Sequence, residues 1–173
     1  MKRLALLFVA LILGIIIFLF LPIFTVFSFT ETRTNNPQMY YIDVSEEKFF
    51  QVRYTHSIHL TDVLETYEIT NTEKLRLISM EYEDVAIGMP AHAEEGQTLT
   101  YENGKYKLEF SNQRLDNFTL YVGDIDMDLY FNYDGNIYNI KKSLHRGSSY
   151  LFEVKTISLY AKLKGVVMEH EDR

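Results

Sequence analysis

Two short stretches carry the side chains best suited to chemistry: Tyr54-Thr55-His56-Ser57, and further on Glu65-Thr66-Tyr67. In FFQVRYTHSIHL, Phe50, Val52, Tyr54, His56, Ile58 and Leu60 form one apolar row in which His56 is the polar member. Val63, Glu65, Tyr67 and Ile69 form a second such row, interrupted by Glu65. Successive side chains of a strand point to opposite faces, so each row belongs to one face. A hairpin that sets His56 opposite Glu65 also sets Tyr54 opposite Tyr67 and Val52 opposite Ile69, connected through His59 to Asp62. Directly opposed residues have Cβ atoms about 4.5–5.5 Å apart, close enough for an imidazole and a carboxylate to share a proton. Such a pair either fixes strand register as a satisfied inward polar contact or lines a ligand or catalytic site.

Other reactive residues give weaker signals. On a strand, the spacing of His56 and His59 sends them to opposite faces, and zinc needs three or four converging ligands. Ser57 points away from His56 on the same strand, and no G-x-S-x-G elbow is present. Gly88-Met89-Pro90-Ala91-His92 reads as a loop that could close over a pocket near His56. Asp124, Asp126 and Asp128 resemble the start of a calcium loop, but Leu129 and Gly135 stand where the turn glycine and the bidentate glutamate belong. Those aspartates read as solvated, with Ile125, Met127 and Leu129 inward. Lys141, Lys142, His145 and Arg146 form a basic cluster, either a solvated turn or an attractor for anionic headgroups or an acidic partner. No catalytic residue, metal-ligand set or cofactor is assigned.

The elements that position these residues follow from periodicity. Leu4 to Phe29 carries no charge, follows Lys2 and Arg3, and is read as a transmembrane anchor over residues 4–29, with residues 1–3 cytoplasmic. A cleaved secretory signal is the rival; its best site, Val26-Phe27-Ser28, is crowded by aromatics, and the apolar run exceeds a usual signal core. Residues 30–41, polar and containing Pro37, read as a juxtamembrane linker. Residues 42–173 read as one extracytoplasmic β domain, because nearly every segment alternates with period two. Strands are expected over 49–58, 63–70, 75–82, 118–122 and 150–159, with a bulge near Leu77. Asn103-Gly104 and Asp134-Gly135 read as two-residue hairpin turns that place Tyr101 opposite Tyr106 and Phe131 opposite Tyr138. After Lys162 the chain frays or adds an edge strand. The expected fold is all-β: a single sandwich or partly open barrel of about eight to ten strands behind one N-terminal helix.

Composition sets limits. With no cysteine, the chain has no disulfides, thiol catalysis or cysteine metal sites. A net charge of −7, with two of the cations at Lys2 and Arg3, argues against nucleic acid as a partner. The 13 Tyr and 12 Phe supply amphipathic rings suited to half-buried sheet surfaces and to interfaces.

The order Tyr54-Thr55-His56-Ser57, then Glu65-Thr66-Tyr67, then Gly88-Met89-Pro90 resembles the bacterial family catalogued as domain of unknown function 1850, over about residues 48–158. The resemblance implies a membrane-anchored protein that accompanies TRAP transporters of the TAXI type, whose receptors collect organic anions. It transfers His56, Ser57, Glu65, Gly88 and Pro90 as motif positions without catalytic roles; Tyr54, Thr55, Tyr67 and His92 join them as candidate binding or structural positions from the residues themselves. The expected function is a non-enzymatic accessory subunit that contacts the transporter's membrane subunit or its substrate-binding receptor. The alternative is an anion-sensing module with a His56/Glu65 pocket. An envelope hydrolase is the weakest option, since neither an activated nucleophile nor a metal set is evident.

Overall fold

The apolar N-terminal run divides at Pro22. The computed structural model describes residues 2–85 and 88–171. Helix α1 (Lys2–Phe20) is long and apolar enough to cross a membrane, with a mean hydropathy of 2.9 over its most apolar window and no buried residue. Strand β1 (Pro22–Glu31) follows after Leu21 alone. The expected anchor over 4–29 and linker over 30–41 are therefore corrected: residues 22–31 belong to the β domain.

Then come β2 (Met39–Asp43), β3 (Phe49–Thr55), β4 (Asp62–Ile69), β5 (Leu75–Tyr82), β6 (Gln97–Glu102), β7 (Lys105–Leu115), β8 (Phe118–Val122), β9 (Leu129–Tyr133) and β10 (Asn136–Asn139). Helix α2 (Ile140–Ser143), β11 (Ser148–Ser158), helix α3 (Leu159–Lys164) and β12 (Val166–Val167) complete the order. Among the described residues, one sheet has five strands in the order β12-β2-β1-β11-β8, and the other has seven in the order β10-β9-β3-β4-β5-β7-β6. All pairings are antiparallel except the edge pair β12 with β2. The two sheets form an open sandwich, not a closed barrel. The strand number exceeds the expected range because β1 and most of β2 fall in segments read as anchor and linker, while β12 is the edge strand, one of the two expectations after Lys162.

β1 escapes period-two detection because it is covered on both faces. Phe27 and Phe29 point into the sandwich, where the Phe27 ring lies 5.0 Å from Phe50, 5.0 Å from Phe131 and 4.7 Å from Tyr133. On the other face Val26 packs with Tyr41 and Ile157 under Ala161 of α3. Residues 26–29 are consequently all buried, Ser28 among them. The outer cover closes at Gly165, where an added Cβ would lie 2.8 Å from Met39 Cε and 2.9 Å from the Tyr41 ring.

Both hairpins have the expected register, Tyr101 opposite Tyr106 and Phe131 opposite Tyr138. Asn103 and Gly104 (φ 52° and 81°), like Asp134 and Gly135 (φ 49° and 73°), adopt the left-handed conformations that a type I′ turn needs. The bulge falls at Ile78: Tyr67 pairs with Leu77 and Thr66 with Ser79. In contrast, Ile125 is exposed in the loop before β9, whereas Leu129 points inward.

Candidate functional site

The β3–β4 register differs from the expected one. Val52 faces Glu65, Tyr54 faces Val63 and Phe50 faces Tyr67. β3 ends at Thr55, so His56 lies in the connection rather than on a strand, and it does not meet Glu65. The imidazole organises the turn itself: Nδ1 accepts from the Ile58 and His59 N–H groups at 3.3 Å each, while the His56 N–H donates to the Thr61 carbonyl at 2.9 Å. Those bonds lengthen the connection to His56–Thr61, which shifts the pairing while leaving each row on its face. The same turn stacks the rings of His56 and His59, 4.7 Å apart, instead of separating them.

Glu65 is met instead by two phenols. Tyr67 Oη donates to Oε2 at 2.6 Å and Tyr54 Oη donates to Oε1 at 3.2 Å. The strand alternation places Tyr67 and Glu65 on one face of β4, and β3 contributes Tyr54 from alongside. Burial pushes the Glu65 carboxyl above its ordinary range, and the two phenol bonds partly offset that. Burial, followed by the neighbouring carboxylate charge, raises both Tyr54 and Tyr67.

This trio lines a cleft of about 560 Å³ between the β3–β4 face and β8 at the open side of the sandwich. Its walls are apolar, with Val52, Leu115, Phe118, Leu120 and Leu129 prominent, and Asp128 and Lys141 also line it. Thr55 and Ser57 line it too; the Thr55 N–H donates to the Asp128 carbonyl at 3.2 Å, and Ser57 is exposed. Periodicity singled out Glu65, Tyr54 and Tyr67, but the opposing wall from β8 and Lys141 was missed. The Phe118-Leu120 alternation was the available signal, though nothing in it says which strand it faces.

The Gly88 loop does reach His56. Gly88 has a φ of 88°, and a Cβ added there would be 3.6 Å from His56 Nε2. Pro90 is held down by Tyr82, whose Oη donates to the Pro90 carbonyl at 2.6 Å. His92, however, is exposed and is not among the residues that line the Glu65 cleft. Residues 86 and 87 of the same loop lie outside the described residues. Among the described residues no three His, Asp or Glu side chains converge as a metal-holding group. The basic cluster is spent on internal partners: Lys142 on Glu171 at 2.6 Å, His145 on Glu31 at 3.0 Å, Arg146 on Asp126 at 3.7 Å and Lys141 on the Ile125 carbonyl at 2.6 Å.

The fold and cleft define a helix-led β-sandwich with a carboxylate in an apolar groove at its open edge. The family described as domain of unknown function (DUF1850) matches residues 50–140, more than half of the chain, and the chain belongs to that family. No curated protein and no solved structure matches it. The matched segment contains every cleft residue except Lys141, but it lacks β1, β2 and β11, which complete the core.

Proposed function

We propose that the chain is a membrane-anchored, extracytoplasmic accessory subunit of a TAXI-type TRAP transporter, acting by binding rather than catalysis. The observation that carries the membrane part is the passage of α1 into β1 with Leu21 as the whole connection, β1 being the middle strand of its sheet. A helix of 19 residues spans about 28 Å at roughly 1.5 Å per residue, close to a bilayer's hydrocarbon thickness. Lys2 and Arg3 keep its start in the cytoplasm. Cleavage at Val26-Phe27-Ser28 would cut a wholly buried stretch of β1, which favours a retained anchor.

At the same end, Phe20 packs on Tyr160 with ring centroids 5.1 Å apart, and Tyr160 and Leu163 of α3 are exposed. Aromatic and apolar side chains beside a spanning helix suit the headgroup region. The outer domain is thereby held against the bilayer, where its effective concentration toward a membrane-embedded partner is high. The transporter assignment rests on what the sequence resemblance implies, and co-expression tests it. The tagged chain is expected to carry a TAXI membrane subunit or receptor through detergent purification. Isolation as a lone monomer from cells making all components would contradict it.

A second reading is favoured by the cleft. Its volume lies within the usual range for small-molecule sites, about 300–1,000 Å³, with apolar walls and a few convergent polar groups. In this reading the domain is a ligand-binding module built on Glu65, Tyr54 and Tyr67, without His56.

A further inference from the structure

We propose that the Glu65 cleft takes an amphipathic organic cation, with an ammonium group against the Glu65 carboxylate and a hydrocarbon or aromatic body against β8. This rests on the ligand-binding reading above and supplies its ligand class. The selection is set by counting hydrogen-bond donors. Each phenol hydrogen is already given to Glu65, one to each carboxylate oxygen. What Glu65, Tyr54 and Tyr67 still offer a ligand is therefore lone pairs: the second site on each carboxylate oxygen and the two phenol oxygens. A ligand that only accepts finds no donor among them.

The charge around the cleft points the same way. Glu65 makes no ion pair among those found in the described residues, and the exposed Asp128 is a second acidic residue at the rim. The cleft's cation, Lys141, keeps its charge but is turned to the exposed loop before β9, where its Nζ donates to the Ile125 carbonyl rather than to Glu65. An organic anion would meet like charge beside Glu65, whereas an ammonium gains a charge-assisted hydrogen bond in a groove with apolar walls. Phe118 supplies both apolar wall and an aromatic face; its ring stacks on Tyr67 at 5.6 Å, extending the surface next to the carboxylate. The ligand class is thus opposite in charge to the one expected of a His56/Glu65 anion pocket.

The full chain in nanodiscs is titrated with benzylammonium and with benzoate, a pair matched in size and opposite in charge, and followed by ligand-observed NMR. Saturable benzylammonium binding is expected, weakened about tenfold or more by Glu65→Gln. Glu68→Gln, three residues further along the same strand but on its opposite face and paired with Arg76, is expected to leave it unchanged. Thermal melts of both variants confirm that they are folded. Saturable binding of benzoate but not benzylammonium would overturn the cation assignment while leaving a ligand site in place. Benzylammonium binding untouched by Glu65→Gln would move the site elsewhere and overturn the proposal. Saturable binding of neither probe would overturn both the cation assignment and the ligand-binding reading.

Discussion

Glu65 is held ionisable in an apolar groove by two phenols, and its elevated carboxyl makes stability depend on pH in a stated direction. Because the folded state binds the proton more tightly than the unfolded chain, the group's contribution is fully present below about pH 4.5, the ordinary carboxyl range, and is lost as pH rises through the elevated folded value. Glu65→Gln mimics the protonated form, so its stability relative to the parent is expected to grow from pH 4.5 to pH 7.5 in chemical denaturation. A difference that shrinks over that interval would contradict the assigned cause. Tyr67→Phe removes the 2.6 Å bond and is expected to cost about 1.5–3 kcal/mol at neutral pH by the same assay, less in acid. The face carrying Glu65, Tyr54 and Tyr67 was legible because alternation depends only on the strand itself. The partner of Glu65 was not, since His56 binds turn amides and thereby moves the register, a competition invisible in the hydrophobic pattern.

At the scale of elements, β1 is the decisive strand. It joins β2 to β11 and places Phe27 amid four aromatic rings, so Phe27→Ala is expected to cost about 3–5 kcal/mol in equilibrium unfolding. A chain starting at Pro22 is expected to keep a cooperative melt, whereas one starting at Ile42, which omits β1 and the first three residues of β2, is expected to lose it. Equal melts for the two would show that β1 is dispensable. Gly165→Ala forces Met39 and Tyr41 apart beneath the α3 cover and is expected to cost about 1–3 kcal/mol. The hairpins at Asn103-Gly104 and Asp134-Gly135 and the bulge at Ile78 were readable locally, because turn chemistry and a phase change are short-range signals. β1 was not readable, because a strand buried on both faces has the same uniform apolar character as the helix before it. The short α3 was missed for a related reason: its six residues are too few to show a helical period.

For the whole molecule, the helix and the sandwich form one continuous piece, and this determines where the Glu65 cleft and any partner surface can go. A domain on a flexible tether would sample many heights and orientations; in the function proposed above, one whose middle strand emerges directly from the helix is expected to stay at the bilayer surface with α3 as its foot. The absence of cysteine makes this directly measurable. Single cysteines at Ile12, Leu163 and Thr100, labelled with an environment-sensitive fluorophore in liposomes containing brominated lipid, report depth at the helix, the foot and the β6 edge. Strong quenching is expected at positions 12 and 163 and none at 100. Quenching at 12 with an unquenched, water-exposed label at 163 would contradict it.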